Sequence, residues 1–385
     1  MRQFATKILM THTTQISALA NLTVIDMSRI LAGPFAAQNL ADMGAKVLKI
    51  EHPNGDDTRK WGPPFVTRSD GSKDAAYYFC ANRNKTNIAL DFTQAADRER
   101  LLALIRNADI LIENYKVGGL AKYGLDYASI RAINPSIIYC SITGFGQNGP
   151  YKDRPGYDAL IQAMGGLMSI TGEAEQAPQK VGVAVVDLMT AMYATTAILA
   201  AVNHRHVTGE GQHIDLALFD VQAAMLANQA ATYLLSGQVP TRQGSVHPSI
   251  APYQPMRVQD GFVMLAVGND SQFTQLCQAA GLPELAQDER FATNAQRTRN
   301  RKELESVLEP VLLQKTLDEW VVLGEQNGFP CGPINTIDRV LADPQIRARD
   351  MVVRTAEGFN LVANPIRFSA TPIIEYQSPP SIPKK

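Results

Sequence analysis

Residues 22–50 read LTVIDMSRILAGPFAAQNLADMGAKVLKI and contain two short apolar runs on either side of a small-residue segment. Leu22–Met27 and Val47–Ile50 are rich in the β-branched side chains that favour strands. Between them, Pro34 suits the first position of a helix and Gly44 suits its end. A strand, a helix and a second strand in this order predict a βαβ unit with parallel strands.

The same alternation continues as far as residue 235. We predict further strands at Thr86–Phe92, Ile110–Ile112, Ser136–Ile142 and His213–Phe219. We predict helices at Arg98–Asn107, Tyr127–Ile133, Tyr157–Ile170, Leu188–His204 and Val221–Leu235. Strands that alternate with helices predict an α/β fold, in which helices cover both faces of a parallel sheet.

The pattern changes at residues 236–255, which are rich in glycine, proline and serine. Residues 253–268, YQPMRVQDGFVMLAVG, predict a β-hairpin that turns at Asp260–Gly261, and helical spacing follows it. We therefore predict a large domain over 20–225, a smaller α+β domain with its linkers over 226–330, and a C-terminal segment, 331–385, that returns to the large domain.

Charge and composition exclude several classes of protein. The 385 residues include 36 basic and 37 acidic side chains, for a formal net charge of −1, and 45% are hydrophobic. Disordered chains need lower hydrophobicity or higher net charge, and nucleic-acid-binding proteins need a positive excess. The most apolar stretch, Ala191–Val202, is shorter than the roughly 20 residues that span a bilayer. We expect no nucleic acid and no membrane as a partner.

The N-terminus and the cysteines indicate the compartment. Residues 1–15 carry two cations but no apolar core, so we expect a frayed leader rather than a secretory signal. Met10 is an alternative start, and the sequence does not decide whether the first ten residues are processed. The cysteines form no CxxC pair, which fits a reducing cytosol; they are Cys80, Cys140, Cys277 and Cys331. We predict a cytoplasmic protein without a metal site.

Residues 144–149, GFGQNG, match the pattern G-x-G-x-x-G after a predicted strand. A dinucleotide-binding site also needs a helix that begins within the motif. Here Pro150 follows at once and Pro155 comes soon after. We therefore interpret the segment as a glycine-rich loop, with a mobile lid as its expected role, and not as a nicotinamide site.

Asp187 ends the apolar run Val181–Val186 and precedes a long predicted helix. On sequence pattern alone the favoured interpretation is a helix N-cap, a position where aspartate is common. The alternative is a carboxylate that faces a cleft and acts as a nucleophile through a covalent acyl intermediate. The two interpretations are compatible, because the N-terminal end of a helix stabilises an ionised carboxylate.

Basic side chains recur in the loops that follow the predicted strands. In open α/β sheets ligands bind beyond the carboxyl ends of the strands, so these cations predict an anionic, nucleotide-like ligand. For any one of them, a solvated surface charge is an equally good interpretation. The residues are Arg29, Arg59, Lys60, Arg83, Lys85, Lys116, Lys122, Lys152 and Arg154.

Several segments, taken together, resemble the family III CoA-transferases, the group that includes formyl-CoA:oxalate CoA-transferase and the carnitine CoA-transferase. They are VIDMSRILAGPFAAQNLADMGAKVLKIEHPNGDDTR (24–59), NRNKTNIALD (82–91), ADILIENYKVGGLAKYGLD (108–126), INPSIIYCSITGFGQNGPYKDRPGYD (133–158) and VGVAVVDLMTAMYATTAILAAV (181–202). The resemblance covers residues 20–235, and NGFPCGPI (327–334) supports it further along the chain.

The resemblance implies a Rossmann-like large domain built from both ends of the chain, a smaller domain, and two chains interlocked as a homodimer. It also implies an enzyme that moves CoA from an acyl-CoA donor to a small carboxylic acid. In this chemistry Asp187 is the catalytic carboxylate, which forms an aspartyl anhydride and then an aspartyl-CoA thioester. Acyl-CoA enters as a substrate, and no tightly bound cofactor or metal is implied.

The resemblance also places the CoA contacts in the loops. His52 and Lys122 stand where some members of the family carry arginine. The implied CoA-binding residues are Arg29, Ile30, Leu31, Ala32, His52, Leu90, Asp91, Phe92, Asn114, Tyr115, Lys116, Lys122, Arg154 and Tyr157.

Two other functions stay open. A racemase of 2-methylacyl-CoA in the same superfamily uses a histidine where this chain has Tyr157, so a base with a pKa near neutrality is missing. A catalytically silent CoA-binding protein is the second alternative, against which Asp187 and the basic loops argue. The donor and acceptor are open, with a dicarboxylate as one candidate. The glycine-rich insert of oxalate-specific members is not evident near Gly268–Asp270, so oxalate is not assigned.

Overall fold

The computed structural model describes residues 16–383, which fall into two compact units. The first unit runs to Gly166, resumes over Val181–Ala230 and includes the chain from Pro344 onward; the second consists of Leu167–Lys180 and Ala231–Asp343. The predicted domain limits at 225 and 330 stay a prediction. The expected leader and the alternative start at Met10 lie outside the described residues.

The secondary structure alternates strand and helix through most of the first unit. The strands are β1 (Thr23–Asp26), β2 (Lys46–Glu51), β3 (Phe65–Thr67), β4 (Lys73–Ala75), β5 (Lys85–Ala89), β6 (Ile110–Glu113), β7 (Ile138–Thr143), β8 (Gln212–Ala217), β9 (Tyr253–Val258), β10 (Gly261–Ala266), β11 (Cys331–Pro333), β12 (Val352–Arg354) and β13 (Asn360–Val362). The helices are α1 (Ala32–Asp42), α2 (Ala76–Phe79), α3 (Ala95–Ile105), α4 (Tyr127–Ile133), α5 (Asp158–Met164), α6 (Val185–Thr208), α7 (Leu218–Met225), α8 (Ala227–Ser236), α9 (Asp270–Ala279), α10 (Asn294–Arg299), α11 (Arg301–Leu312), α12 (Leu317–Asn327), α13 (Ile337–Ala342) and α14 (Pro344–Ala348).

The first unit is built on a six-stranded sheet in the order β5-β2-β1-β6-β7-β8. Every neighbouring pair in it is parallel. β6 and β7 are buried along their whole length, which is the pattern of parallel strands covered on both faces. The predicted α/β fold with a parallel sheet is confirmed.

Helices pack on both faces of this sheet. On one face, Leu40 of α1 and Ile198 of α6 join a core with residues of β1, β6 and β7. On the other face, Leu101 of α3 and Ile130 of α4 are fully buried. Starting from β1, the chain builds outward through β2 to β5 on one side and through β6 to β8 on the other. The order therefore reverses between β1 and β6, and in such sheets a crevice forms at the carboxyl ends of the two strands.

From Pro344 onward, the C-terminal segment packs on the first unit. The guanidinium of Arg83 donates to the carbonyl of Val362 at 2.7 Å, and Asn364 Nδ2 donates to Asp42 Oδ2 at 3.0 Å. Both chain ends thus contribute to the domain that carries the parallel sheet.

The long helix α6 extends beyond the apolar stretch that the sequence analysis identified. It has 24 residues with a mean hydropathy of 1.7 in its most apolar window, so by length and composition alone it could cross a membrane. The 12-residue stretch Ala191–Val202 therefore underestimates this helix. Core helices of soluble proteins meet the same test, and 44% of that window is buried inside the fold. The absence of a membrane partner stays a prediction.

Two predicted helices differ from expectation, because one ends early and the other is divided. The helix expected at Tyr157–Ile170 ends at Met164, because Gly165 and Gly166 follow and Gly166 has a φ of +88°. The helix expected at Val221–Leu235 is divided into α7 and α8, because Ala227 adopts a φ of +43°. Neither break interrupts the parallel sheet.

The second unit has its own antiparallel sheet, in the order β11-β10-β9. The predicted hairpin forms, with Gln259 and Asp260 between its strands and Gly261 paired with Val258. Its core includes the fully buried Trp320 of α12, and residues of α9 and α11 contribute to it. This arrangement confirms the expected smaller α+β part.

Candidate functional site

A cavity of about 370 Å³ lies in the first unit at the carboxyl ends of β1, β2, β5 and β6. This is the point where the strand order reverses, and open α/β sheets bind ligands there. Six of the implied CoA contacts line it, namely Arg29, His52, Leu90, Asp91, Phe92 and Tyr115. A second cavity of about 300 Å³ lies near Asp42 and the C-terminal segment, and none of its described lining residues is a predicted site residue.

Aromatic rings and a cation form one wall of the larger cavity. The guanidinium of Arg29 lies 5.2 Å from the ring centre of Tyr115. The ring of Phe92 lies 5.5 Å from that of Tyr115 and 5.3 Å from that of Tyr123. Aromatic side chains beside a guanidinium suit the base and the phosphate of a nucleotide.

The larger cavity also contains acids, of which two are paired with buried cations. Glu51 accepts from Arg59 Nε at 2.8 Å, and Asp56 Oδ2 lies 3.3 Å from Lys49 Nζ. These pairs neutralise the two carboxylates, so they do not oppose an anionic ligand. In the part of the chain that the structure describes, the half-exposed Arg29 side chain pairs with one acid, the carboxylate of Asp57 at 3.8 Å.

Three implied contacts in the first loop, Ile30, Leu31 and Ala32, are not among the residues that line the cavity. Leu31 and Ala32 are 4% and 3% exposed, and they begin α1 with their side chains in the core. Ile30 is half-buried and has a φ of +70°, which is unusual for a β-branched residue. The side chains of Leu31 and Ala32 therefore belong to the core of the fold rather than to the wall of the cavity.

The implied CoA contacts that follow β6 do not lie together in the structure. Asn114 does not line the cavity; its side chain accepts from the Arg29 N–H at 2.8 Å and donates to the Arg29 carbonyl at 2.7 Å. Lys116 is exposed, and the exposed Lys122 lies 4.9 Å from the ring centre of Tyr123. Asn114 thus holds the first loop, and the two lysines lie at the surface.

Arg154 and Tyr157 lie on the segment that leads into α5. The guanidinium of Arg154 stacks 3.9 Å from the ring centre of Tyr151. Tyr157 is the N-cap residue of α5 and is 64% exposed. The next residue, Asp158, begins that helix and brings this segment to the start of α6.

Asp187 is the third residue of α6, and the N-cap interpretation is wrong. The N-cap residue is Ala184, which has no capping side chain. Asp158 takes that role from a neighbouring helix, because its Oδ1 accepts from the N–H groups of Val186 at 2.8 Å and Asp187 at 3.3 Å. The carboxylate of Asp187 is therefore not used to cap the helix.

Two effects raise the pKa of Asp187 to about 7. Burial is the larger effect, and the negative charge of Asp158 adds to it. The pKa of Tyr77 rises to about 12, mainly through burial and also through the charges of Cys80, Asp187 and Asp158. At neutral pH Asp187 thus exchanges its proton readily, whereas the phenol of Tyr77 keeps its proton and can donate.

Tyr77 also packs against a residue that is next in sequence to the cavity lining. Its ring packs edge-on against Trp61 with 5.3 Å between the centres, and Trp61 follows Lys60, which lines the cavity. Sequence reasoning missed Tyr77, Trp61 and Asp158 as site residues. The only sequence signal for Asp158 was its position ahead of a helix, which is common for aspartate everywhere.

The glycine-rich loop opens no helix, which agrees with its interpretation as a loop. A Cβ atom on Gly144 would lie 2.7 Å from Gly156 Cα, so glycine is needed at this close approach. The N–H of Gln147 donates to Asp215 Oδ2 at 3.1 Å. The role of a lid stays a prediction.

Residues 16–383 contain no group of three or more histidine, cysteine, aspartate or glutamate side chains placed to hold a metal ion. The resident chemistry of the site described above consists of carboxylates, cations and aromatic rings.

Comparison with known proteins connects this geometry to a family. A family model for CoA-transferase family III matches residues 19–384. The chain is 49% identical over 363 residues to the succinate–glutarate CoA-transferase of Agrobacterium fabrum, covering 94% of this chain and 90% of that one. It is 40% identical to the human succinyl-CoA:glutarate CoA-transferase, covering 95% of this chain and 83% of that one.

A solved structure shows the same fold. The crystal structure of a CaiB/BaiF family protein from Brucella suis superimposes with a TM-score of 0.88 at 49% identity, covering 95% of this chain and 97% of that one. Because both the family match and these similarities extend over nearly the whole chain, the protein is a CoA-transferase that belongs to family III.

Proposed function

We propose that this CoA-transferase moves CoA from an acyl-CoA to a small carboxylic acid through covalent intermediates on Asp187. The observation that carries the proposal is the position of this carboxylate in the first turn of α6. Asp158 caps the helix in its place, and no described residue donates a hydrogen bond to the Asp187 side chain. A carboxylate held in this way is available as a nucleophile.

The proposed reaction keeps the energy of the thioester. The ionised Asp187 attacks the acyl carbonyl of the donor, which forms an aspartyl anhydride and releases CoA thiolate. The thiolate attacks the aspartyl carbonyl, which forms an aspartyl-CoA thioester and releases the donor acid. The carboxylate of the acceptor then attacks this thioester, and the thiolate released returns to the acceptor carbonyl, which regenerates Asp187.

We propose dicarboxylates as the acids on both sides of the reaction. The relatives that are 49% and 40% identical carry succinate and glutarate in their names. The cavity with Arg29 and its aromatic wall supports the nucleotide part of CoA as the common ligand. Succinyl-CoA is therefore the first donor to test, with glutarate as the acceptor.

Mass spectrometry of the intact protein tests the covalent route. After brief incubation with succinyl-CoA, followed by hydroxylamine or borohydride, we expect a modification at Asp187 that is absent from Asp187→Ala. Asp220→Ala is a matched control, because Asp220 is an exposed acid in the first turn of the neighbouring helix α7. This control variant should keep the modification.

Two results would contradict the proposal. Exchange of the α-proton of a 2-methylacyl-CoA in heavy water, with no protein modification by any thioester, would favour the racemase. Binding of CoA with neither signal would favour the silent binding protein.

A further inference from the structure

The loop from β1 to α1 has its backbone held by side chains from neighbouring segments. Ser28 N–H donates to Asp26 Oδ1 at 3.1 Å, and the Ser28 carbonyl accepts from Lys49 Nζ at 3.1 Å. The N–H and the carbonyl of Arg29 are both bound by Asn114, at 2.8 and 2.7 Å. The backbone of residues 28 and 29 therefore has a complete set of partners that lie outside the loop itself.

Ile30 continues this loop in a conformation that β-branched residues rarely adopt. Its φ of +70° lies in the left-handed region. Its N–H donates to Asp56 Oδ2 at 3.3 Å. A non-glycine residue stays in such a conformation only when its surroundings impose it. Asp56 is the side chain that binds the amide on the strained side of the loop.

Asp56 is itself fixed by several groups. Its Oδ2 also accepts from Lys49 Nζ at 3.3 Å, and the two residues are 3% and 0% exposed. Its Oδ1 accepts from the N–H and the hydroxyl of Thr58 at 3.0 and 2.7 Å. Its own N–H donates to Glu51 Oε2 at 2.9 Å. One buried carboxylate thus joins the first loop to the segment after β2.

The direction of the Arg29 side chain depends on the hydrogen bonds that hold this loop. The peptide bond that follows Arg29 is the one whose N–H Asp56 binds. The Arg29 side chain leaves the loop over Tyr115, at the cavity of about 370 Å³, and 51% of it is exposed. A guanidinium held in this way can pair with the oxygens of a phosphate group.

We propose that Asp56 is a positioning residue for the acyl-CoA substrate. Through the Ile30 amide and the Lys49 ammonium it holds residues 28–30 in the shape that directs Arg29 at the phosphate groups of CoA. The inference rests on the proposed function, because it takes the ligand of this cavity to be CoA. Asp56 contacts neither Asp187 nor Asp158 among the described contacts, so it acts on binding and not on the covalent steps.

Asp56→Asn tests the proposal, because the amide has one acceptor oxygen and no negative charge, so it cannot accept from Thr58 on one side and from Ile30 and Lys49 on the other. We expect the KM for succinyl-CoA and the Kd for CoA, measured by calorimetric titration, to rise about tenfold. We expect kcat at saturating succinyl-CoA to stay within about twofold of the unmodified enzyme. Thr58→Val is a milder variant that removes one bond to Asp56 Oδ1, and its KM should rise about two- to threefold.

Asp74→Asn is the matched control. Asp74 is a buried acid in the same region, and it pairs with Arg59 and Arg68 rather than with residues 28–30. This variant should lose thermal stability and keep its affinity for CoA. A loss of CoA affinity in Asp56→Asn but not in Asp74→Asn would therefore be due to positioning and not to general damage to the fold.

Each result of this experiment decides the question. A Kd for CoA that is unchanged in Asp56→Asn, or that rises equally in Asp74→Asn, overturns the inference while the proposed function stands. If Asp56→Asn does not fold, an unchanged KM in Thr58→Val overturns it in the same way. If the unmodified enzyme binds no CoA, the proposed ligand is wrong and the inference is overturned together with it.

Discussion

Asp187 and Asp158 lie at the same helix terminus, and the structure gives their carboxylates different tasks. Asp158 accepts two backbone N–H groups of α6 and also the amide of Gln162, at 2.5 Å. Asp187 has no such bonds among the described residues, and burial followed by the charge of Asp158 raises its pKa to about 7. A carboxylate that holds its proton near neutrality is a stronger base, and once ionised a stronger nucleophile, than an exposed aspartate.

The first prediction concerns the pH dependence of the reaction. Since the ionised form of Asp187 is the proposed nucleophile, kcat/KM for succinyl-CoA should fall as the pH drops through about 7. Asp158→Asn keeps an oxygen that can cap α6 but removes the negative charge. We expect this variant to move the acidic limb of the profile to lower pH, because the repulsion that raises the pKa of Asp187 is gone.

The control for this prediction is Asp220→Asn, which removes an exposed acid from the first turn of α7. Its profile should match that of the unmodified enzyme. A kcat/KM that stays constant between pH 6 and pH 8 would show that Asp187 does not titrate in this range. An unmoved limb in Asp158→Asn would show that Asp158 has no influence on it.

At the scale of the elements, a buried polar chain crosses the strands β6, β7 and β8. Glu113 ends β6, and its carboxylate accepts from the Tyr115 N–H at 2.8 Å and from the hydroxyl of Ser141. The Ser141 hydroxyl also lies 2.9 Å from His213 Nε2 on β8. Glu113 is 5% exposed, and burial raises its pKa to about 7 despite these two hydrogen bonds.

The second prediction follows from the titration of Glu113. Its pKa in the folded protein lies above the ordinary value of 4.5, so the folded state loses stability as the pH rises from about 4.5 to about 7. Glu113→Gln removes this ionisation and keeps a similar shape. We expect the free energy of unfolding of the variant, relative to the unmodified protein, to increase by up to about 3 kcal/mol between pH 5 and pH 8.

Chemical denaturation at the two pH values measures this difference. The control is Glu99→Gln, an exposed acid on α3, for which the difference should stay constant with pH. A constant difference for Glu113→Gln as well would show that Glu113 is ionised at pH 5 in the folded protein.

At the scale of the whole molecule, α5 and α6 leave an apolar face uncovered in the single chain. These helices contact each other, and five of their exposed apolar side chains are 38–46% exposed, namely Leu160, Met164, Met189, Met192 and Tyr193. Large apolar faces on soluble proteins mark interaction sites. We propose a second copy of this chain as the partner, which agrees with the homodimer that the family resemblance implies.

The third prediction is therefore a dimer in solution. Light scattering after gel filtration should give twice the chain mass of 42.0 kDa. Tyr193→Glu should shift the mass toward that of the single chain, because it places a charge on the apolar face. Ile133→Glu is the control, since Ile133 is 39% exposed on α4 at the opposite face of the sheet. Equal masses for both variants, or a monomer for the unmodified chain, would contradict the prediction.

Much of the fold was predictable, because the decisive signals are local in the sequence. The runs at Leu22–Met27 and Val47–Ile50 form β1 and β2 with α1 between them, and the same alternation continues to β8. Hydrophobic spacing predicted helix limits less well where one residue adopts an unusual backbone conformation. Ala227 breaks a predicted helix although alanine favours helices, since tertiary contacts override propensity.

The candidate site was only partly predictable. Asp187 was identifiable because it ends an apolar run ahead of a long helix in a segment that resembles a family. Its actual position inside the helix depends on Asp158, whose carboxylate arrives from another helix. Similarly, no sequence pattern singled out Asp56, whereas the fold places it between Ile30 and Lys49.

The sequence by itself determined the α/β class, the parallel sheet and the loops that carry the candidate ligand-binding residues, because hydrophobic periodicity and turn residues act over short distances. Only the tertiary structure decided which of these residues meet, which acid caps α6 and which carboxylates hold their protons near neutrality. Those properties depend on burial and on charges brought together from distant segments, and no local pattern records either of them.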